Sequence, residues 1–422
     1  MLILLTGATG FLGRHILSAL VSAGHTVRAV GRSTPPAATR DVHWVQADFN
    51  HDHTPEAWLP HLAGVEAVIN AAGILRETAT QKFDALHERG PIALFRAGAQ
   101  AGVTRFIQIS ALGADAQATT RYHLSKKHAD DVLLSLPVTA TLIQPSLVYG
   151  PGGASAAMLQ QWAALPLIPL PGAGMQQIQP VFIDDLTDAV CSLLTLAQPP
   201  QRVAAVGPQA VTLRAYLALL RRQMGLGKAR FLALPMPLVQ GAVRLAAHLP
   251  GSLADPDSLS MLQRGNTGDA APFAALLGRT PRSPAQFIER DAAAAARIQA
   301  LLGSLLPLLR VSIALVWFIT GIVSLWVYPV ADSLDLLHRV GVPAALGTTL
   351  LYGAAGLDFA FGVATLALRK RRLLWLMQMA LIIFYSVLIT LYLPEFWAHP
   401  YGPILKNLPM LAAIWLLYQL EE

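Results

Sequence analysis

The chain has 422 residues, 54% of them hydrophobic and 13% charged, with a formal net charge of +6. That charged fraction is about half of the ~25% usual in soluble domains, so a wholly soluble or a disordered protein is excluded, and the length calls for two or more domains. The basic residues are scattered except for Arg369-Lys370-Arg371-Arg372, which sits between two apolar segments and reads as a loop at a membrane face, not as a nucleic-acid patch. No nucleic-acid partner is expected. A single cysteine, Cys191, excludes an intrachain disulfide; its neighbours Val190, Leu193 and Leu194 mark it as a small buried hydrophobe.

In chain order, the apolar run Leu2–Leu5 ends in glycine and predicts a buried parallel strand. It is too short for a signal peptide, so the N-terminal domain is expected to stay in the cytoplasm. Residues 11–23 carry apolar side chains at helical spacing (Leu12, Ile16, Leu20) and stop at Gly24. Further strands are expected at 27–30, 42–45, 65–70, 106–110 and 139–144, with helices at 81–101 and 124–135. Strand alternating with helix predicts a doubly wound, Rossmann-type parallel sheet in an α/β domain over 1–300. From about 151 the pattern loosens into Pro/Gly-rich turns and a smaller substrate lobe, with a final strand–helix return to the sheet. The apolar run Pro235 to Pro250 leaves two readings open, a helix packed within that lobe or one lying on a bilayer.

Gly7, Gly10 and Gly13 recur every three residues between the first strand and the first helix. A pyrophosphate needs close backbone approach and exposed amides at a helix N-terminus. The loop Gly7, Thr9, Gly10, Phe11, Leu12 and Gly13 is therefore a dinucleotide-binding candidate. An NAD site places an acid about 20 residues further on, for the ribose hydroxyls. Here the second strand ends in Ala29-Val30-Gly31-Arg32-Ser33. Arg32 is placed for a 2′-phosphate, which predicts NADP(H) in preference to NAD(H), with Arg14 in support. Asp48 stands where an acid can bond the adenine amine, and Asn70-Ala71-Ala72-Gly73 would pass beneath the ribose.

Tyr122 and Lys126 are four apart, on one face of a helix. A phenol, with a pKa near ~10, is a poor base. A neighbouring ammonium would lower that pKa and let the pair exchange a proton with a substrate hydroxyl or carbonyl. Ser110, ending its strand, is expected to orient the same oxygen. Thr6–Gly13, Asn70–Gly73, Ser110, Tyr122/Lys126 and Gln144-Pro145-Ser146-Leu147-Val148-Tyr149-Gly150-Pro151 together resemble the short-chain dehydrogenase/reductase superfamily. The last motif and Val181-Phe182-Ile183-Asp184-Asp185 resemble its extended and atypical branches. Ile109-Ser110-Ala111-Leu112-Gly113-Ala114 is similar to the branch holding the nucleotide-binding accessory subunit of respiratory complex I. The resemblance implies a cofactor contact at Pro145, catalytic roles for Ser110, Tyr122 and Lys126, and NADP(H)-linked oxidation, reduction or epimerisation. Extended members often carry Arg where this chain has Gln144.

After Leu305 the composition changes. Apolar segments at 305–327, 343–368, 373–393 and 404–420 are near the ~20 residues that cross a bilayer. They predict an all-α, four-helix transmembrane domain over 305–422. With the first domain inside, residues 369–372 and both termini fall on the cytoplasmic side of an inner membrane, and 328–341 and 394–403 lie across it. Trp317–Ser324, Leu357-Asp358, Pro394–Pro400 and Gly402–Asn407 resemble the DoxX-like family. Asp358, an acid inside a span, is a functional candidate, with Gln378, Thr320 or Lys406 as partners. His399 and Glu395 read as part of a turn, and His43, His51 and His53 lack ligand-like spacing, so no metal is expected. The expected activity is that of a membrane-anchored oxidoreductase with a small hydrophobic substrate. The alternative is a non-catalytic NADP(H)-binding sensor or assembly factor with a membrane-complex partner.

Overall fold

A computed structural model describes residues 1–32, 40–246, 256–400 and 402–421. They divide into two compact units, Met1–Ala300 and Leu301–Glu422.

The first unit opens with β1 (Leu2–Thr6), α1 (Phe11–Ser22), β2 (Thr26–Gly31), β3 (Val42–Gln46), a single turn α2 (Pro55–Trp58) and β4 (Ala67–Asn70). A wide turn over Asp84–Arg89 runs into α3 (Gly90–Gln100), followed by β5 (Arg105–Ile109), α4 (Arg121–Ser135) and β6 (Thr139–Pro145). With β11 (Arg202–Ala205) these strands form a seven-stranded sheet of order β11-β6-β5-β4-β1-β2-β3. Every neighbouring pair in it is parallel. Ile3, Leu4 and Leu5 are fully buried, because helices cover both faces of such a sheet and leave no polar side. The strand order reverses between β1 and β4, and that switch point opens a crevice at the carboxyl ends of the strands.

The predicted strands all form. The helix expected at 124–135 starts three residues earlier, at Arg121, because Thr120 Oγ1 accepts the amide of His123 and caps it. That early start puts Tyr122 on the helix. Cys191 is half-buried, not fully enclosed.

Residues 148–300 supply the lobe: β7 (Val148–Tyr149), α5 (Ala154–Ala164), β8 (Ile168–Pro171), β9 (Gln177–Ile178), β10 (Val181–Phe182) and α6 (Ile183–Thr195) precede β11. After it come β12 (Val211–Thr212), α7 (Leu213–Gln223), β13 (Phe231–Leu234), α8 (Met236–Ala246), α9 (Pro256–Arg264) and α10 (Ala271–Leu277). β10 pairs with β7, β12 with β9 and β13 with β8. Of the run Pro235–Pro250, residues 247–250 lie outside the described residues. The described part forms a helix with no fully buried residue, which packs against α9 of the lobe on one side and leaves Leu238, Ala242 and Leu245 exposed.

The second unit holds α11 (Ala293–Ile322), continued by a wide turn to Val327, then α12 (Val330–Arg339), α13 (Ala344–Ala367), α14 (Arg372–Tyr392) and α15 (Asn407–Leu420). Among the described residues, three helices are long and apolar enough to cross a membrane. The expected count of four full spans needs correction. α15 has 14 residues, about 21 Å at 1.5 Å per residue, short of a ~30 Å hydrocarbon core. Gly402 and the turn before Asn407 take up the start of the expected segment. Ile313, Trp317, Phe361, Trp375, Ile382, Ile414 and Leu417 form the bundle core. At one end Glu421 pairs with Arg310 and, at 3.7 Å, with Arg371; elsewhere in the unit Arg339 pairs with Glu395. Asp358 is buried on α13, but two expected partners are engaged elsewhere. Gln378 donates to Thr365 Oγ1 at 2.8 Å, and Thr320 donates to the Val316 carbonyl. Lys406 is exposed.

Candidate functional site

The crevice at the switch point is a cleft of about 290 Å³ lined by Gly7, Thr9, Gly10, Arg32, Asp48 and Ala71–Gly73, among others. Gly7 has φ +69°, and a Cβ there would lie 2.7 Å from the backbone of Ala71 and Ala72. A side chain would close the cradle where β1 and β4 part. A Cβ on Gly13 would meet the Gly7 carbonyl at 2.0 Å, so this third glycine lets α1 press onto the loop. No side chain caps the N-terminus of α1, and its first turn holds no acid. Its amides and dipole are left for an anion. The cradle therefore fits a nucleotide pyrophosphate.

The other sequence candidates divide around this cleft. Arg32 follows β2 directly, is exposed and lines the cleft. Asp48 lines it too, with Oδ1 accepting from the amide and side chain of Asn50 at 2.9 Å each. Phe11, Leu12 and Gly13 lie behind the wall, in the first turn of α1. Arg14 is turned away from the cleft, donating to the Gly152 carbonyl at 3.0 Å. Asn70 is fully buried beneath the loop. It takes a hydrogen bond from Thr6, gives one to Gln108 Oε1 at 2.7 Å and receives the Ala72 amide at 3.2 Å. It shapes the loop instead of lining the cleft. Pro145 is buried at the end of β6, its carbonyl accepting from Leu112.

The helix α4 delivers Tyr122, Lys126 and a residue that sequence reasoning missed, Asp130, at i, i+4 and i+8. Asp130 is fully buried, and Ser110 donates its hydroxyl hydrogen to the Asp130 carboxylate. In this arrangement the Ser110 hydroxyl hydrogen goes to an internal acceptor, where the sequence led to the expectation that it orients a substrate oxygen. Lys126 Nζ donates to the carbonyls of Ile109 at 3.1 Å and Ala72 at 3.3 Å. A Cβ on cleft-lining Gly73 would stand 3.0 Å from that Nζ, so the ammonium lies just behind the cleft wall.

The electrostatics reverse one expectation. Burial, and secondarily the Asp130 charge, pushes the Tyr122 phenol up to about 12, where the neighbouring ammonium was expected to lower it. The lysine is spent on two carbonyls and on Asp130. Burial draws Lys126 down to about 8 against the pull of Asp130. Burial raises Asp130 to about 6, opposed by the Ser110 hydrogen bond and the Lys126 charge. Tyr122 is therefore a phenol at neutral pH, with Lys126 cationic beside it.

His87 also went unnoticed, because nothing in Leu86-His87-Glu88 distinguishes it from a helix surface. It is buried on the wide turn before α3. Its Nε2 accepts the Ile74 amide at 3.0 Å, and Nδ1 meets Ser125 Oγ at 2.9 Å, which itself donates to the Tyr122 carbonyl. With Nε2 an acceptor, the ring is neutral and carries its proton on Nδ1. Burial and the Lys126 charge push its pKa to about 2. The ring ties the Gly73–Ile74 loop to the turn of α4 that bears Tyr122, 5.6 Å from the Tyr122 ring.

Comparison with known proteins agrees with this architecture. The family model of the NAD dependent epimerase/dehydratase family matches residues 3–207, and that of the DoxX-like family matches residues 314–415. A ceramide reductase of Caulobacter vibrioides is 32% identical over 46% of this chain and 61% of its own length. An NADH dehydrogenase 1 alpha subcomplex subunit 9 of Arabidopsis thaliana is 27% identical over 44% of this chain and 48% of its own length. The chain thus spans only about half to three-fifths of these two relatives. An uncharacterised sugar epimerase of Bacillus subtilis is 30% identical over 34% of this chain and 71% of its own length. Among solved structures, a nucleoside-diphosphate-sugar epimerase of Staphylococcus aureus superposes with TM-score 0.56 at 18% identity, over 68% of this chain and 99% of the other. At that identity the likeness is one of fold.

Proposed function

The chain belongs to the NAD-dependent epimerase/dehydratase family and carries a DoxX-like domain after it, and from that premise we propose that it is a membrane-anchored, NADPH-dependent reductase acting on the carbonyl of a lipid-soluble molecule. The observation that carries the proposal is the placement of Tyr122 and Lys126 one turn apart on α4, with the Lys126 ammonium just behind Gly73 of the nucleotide cleft. With its pKa pushed up by burial to about 12, Tyr122 carries its proton at neutral pH. It is a competent acid toward the oxygen of a carbonyl that is becoming an alkoxide. When bound, the reduced nicotinamide supplies the hydride. Tyr122 gives that oxygen its proton, and Lys126, cationic below about 8, favours negative charge developing beside the cleft wall. Asp130 holds the Ser110 hydroxyl and keeps Lys126 charged, while His87 fixes the loop against α4. Gly7, Thr9 and Gly10 would hold the pyrophosphate, Asp48 the adenine, and Arg32 the 2′-phosphate as a charge-assisted fork.

The substrate class follows from the second unit and from one relative. A chain with three helices able to cross a membrane confines its chemistry to the membrane surface, and the similarity to a ceramide reductase agrees with a lipid carbonyl. The basic run 369–372 supports a reading in which the α13–α14 connection lies in the cytoplasm of an inner membrane, on the side of the NADPH cleft. Glu421, paired with Arg310 and Arg371, supports a C-terminal end on that same side.

A second reading has one observation in its favour. Ser110 and Lys126 are both engaged by internal groups, as suits a nucleotide-binding sensor or assembly factor. The similarity to the complex I subunit points the same way. The two readings part on turnover. Full-length protein in lipid nanodiscs, given NADPH and a panel of quinone, isoprenoid and long-chain lipid carbonyls, is expected to oxidise NADPH, and Tyr122→Phe to slow this by about 10²–10⁴-fold while still binding NADPH. Turnover unchanged in Tyr122→Phe removes Tyr122 from the mechanism; tight binding with no turnover on any substrate selects the second reading.

A further inference from the structure

Between Ala189 and Ala254 the chain has no Asp or Glu but seven Lys or Arg. In the middle of this stretch β13 leads through Pro235 into α8. Leu232 on β13 is 45% exposed, and Leu238 and Leu245 on α8 are 65% and 74% exposed. Leu238, Ala242 and Leu245 recur at i, i+4 and i+7, so they share one helix face; all three are exposed. Leu167, just before the paired strand β8, adds a fourth exposed leucine. Arg222, Lys228 and Arg230 stand exposed at the approach to β13. An apolar helix face whose own stretch of chain carries cations and no acid (the first acidic residue on the adjoining α9 is Asp257) matches an interfacial membrane element, and the cationic margin complements anionic headgroups.

We propose that α8 and the neighbouring end of β13 form a docking surface that lies in the headgroup region of an anionic phospholipid bilayer. The same chain brings the bilayer with it, because its second unit spans a membrane; the tether holds the face at high effective concentration of lipid. Shallow burial of three or four leucines is enough in that setting, although it would not recruit a free protein. The surface also has a mechanical link to the candidate site. α8 packs on α9, whose Arg264 donates to the Gly113 carbonyl at 2.9 Å and to both Asp115 carboxylate oxygens at 2.7 Å. Gly113 and Asp115 lie on the loop that follows Ser110. Docking would therefore set the lobe beside the loop over the site; this last consequence rests on the lipid-carbonyl reading, whereas the docking surface does not.

The test uses the full chain with Cys191→Ser, carrying an environment-sensitive fluorophore on Leu238→Cys, Leu245→Cys or, as reference, Gln100→Cys at the end of α3. Each is reconstituted into phosphatidylcholine nanodiscs with or without phosphatidylglycerol. Lipids with a nitroxide high on the acyl chain should quench positions 238 and 245 several-fold more than position 100 in the anionic discs. Lys228→Glu/Arg230→Glu should abolish that difference while NADPH binding persists. Aqueous iodide should show the reverse order. Quenching of 238 and 245 by iodide to the same degree as position 100, with no quenching by nitroxide lipid, overturns the proposal. So does equal nitroxide quenching in neutral and anionic discs, or protection of both positions from iodide without nitroxide quenching, which would mean a protein occupant. No substrate enters this measurement, so a failure of the reductase reading leaves it standing.

Discussion

Asp130→Asn isolates the role of a buried carboxylate that bonds Ser110 and faces Lys126. In the native chain burial lowers Lys126 to about 8 while Asp130 pulls upward. The two residues are four apart on α4, which sets their Cβ atoms about 6 Å from each other. Unit charges at that separation interact by about 3 kcal/mol at an effective dielectric near 20, or about two pKa units. Removing the carboxylate charge should therefore lower the Lys126 titration by about two units. A lysine with a lowered pKa is cationic below that value and neutral above it. NADPH affinity, which the ammonium behind Gly73 supports, should hold through neutral pH in the native chain and weaken as pH rises past about 8. In Asp130→Asn the same loss should begin about two units lower, leaving binding at pH 7 weaker by about tenfold. Fluorescence of bound NADPH, titrated from pH 5 to 9.5 in native chain, Asp130→Asn and Asp130→Glu, reads this directly. Titration of the ligand itself is common to all three and cancels in their ratio. Asp130→Glu keeps the charge and should follow the native profile. Midpoints for the Asn variant and native chain that coincide within half a unit would refute the argument and detach Asp130 from Lys126.

Asp130 makes a second prediction, in stability. Its folded pKa is raised from 3.8 to about 6, so its stabilisation is complete below 3.8 and is lost as pH rises through 6. That is worth about 3 kcal/mol at 1.36 kcal/mol per unit. Between pH 4 and 6 the melting temperature of the native chain should thus fall relative to Asp130→Asn; parallel curves would count against it. Arg32→Asp should weaken NADPH binding by about 10- to 150-fold, the loss of a charge-assisted contact, with NADH affinity little changed; parent protein that binds both cofactors equally well sinks this. In a Cys191→Ser background, cysteine at Ala398 should react with an impermeant maleimide in intact cells and cysteine at Leu368 should not. Labelling of Leu368→Cys in sealed cells would reverse the proposed orientation.

What the sequence made legible was set by backbone geometry, and what it hid was set by burial. The strands of the sheet could be read because a parallel strand covered on both faces must be a continuous apolar run, as Leu2–Leu5 is. The glycine cradle could be read because Gly7 and Gly13 answer to close approach of main chain to main chain. Spacing also put Tyr122 and Lys126 on one helix face, but spacing carries no information on dielectric. The expected lowering of the phenol assumed a solvated ammonium free to act on it. The fold instead sets the tyrosine among the rings of Phe83, His87 and His123 and spends the ammonium on the carbonyls of Ala72 and Ile109. Asp130 stands at i+8 from Tyr122, but nothing in the sequence sets it apart from its neighbour Asp131. Only the contact with Ser110, 20 residues away, separates the buried member of that pair from the exposed one. In the membrane unit three of the four expected segments form helices long and apolar enough to cross a membrane; only the last falls short. Hydropathy found the apolar segments but not their ends, and α15 falls short of a full span because a turn after Gly402 claims residues that are just as apolar. The upward shift of the Tyr122 phenol thus depends on burial, the one property of the site that one-dimensional pattern cannot carry.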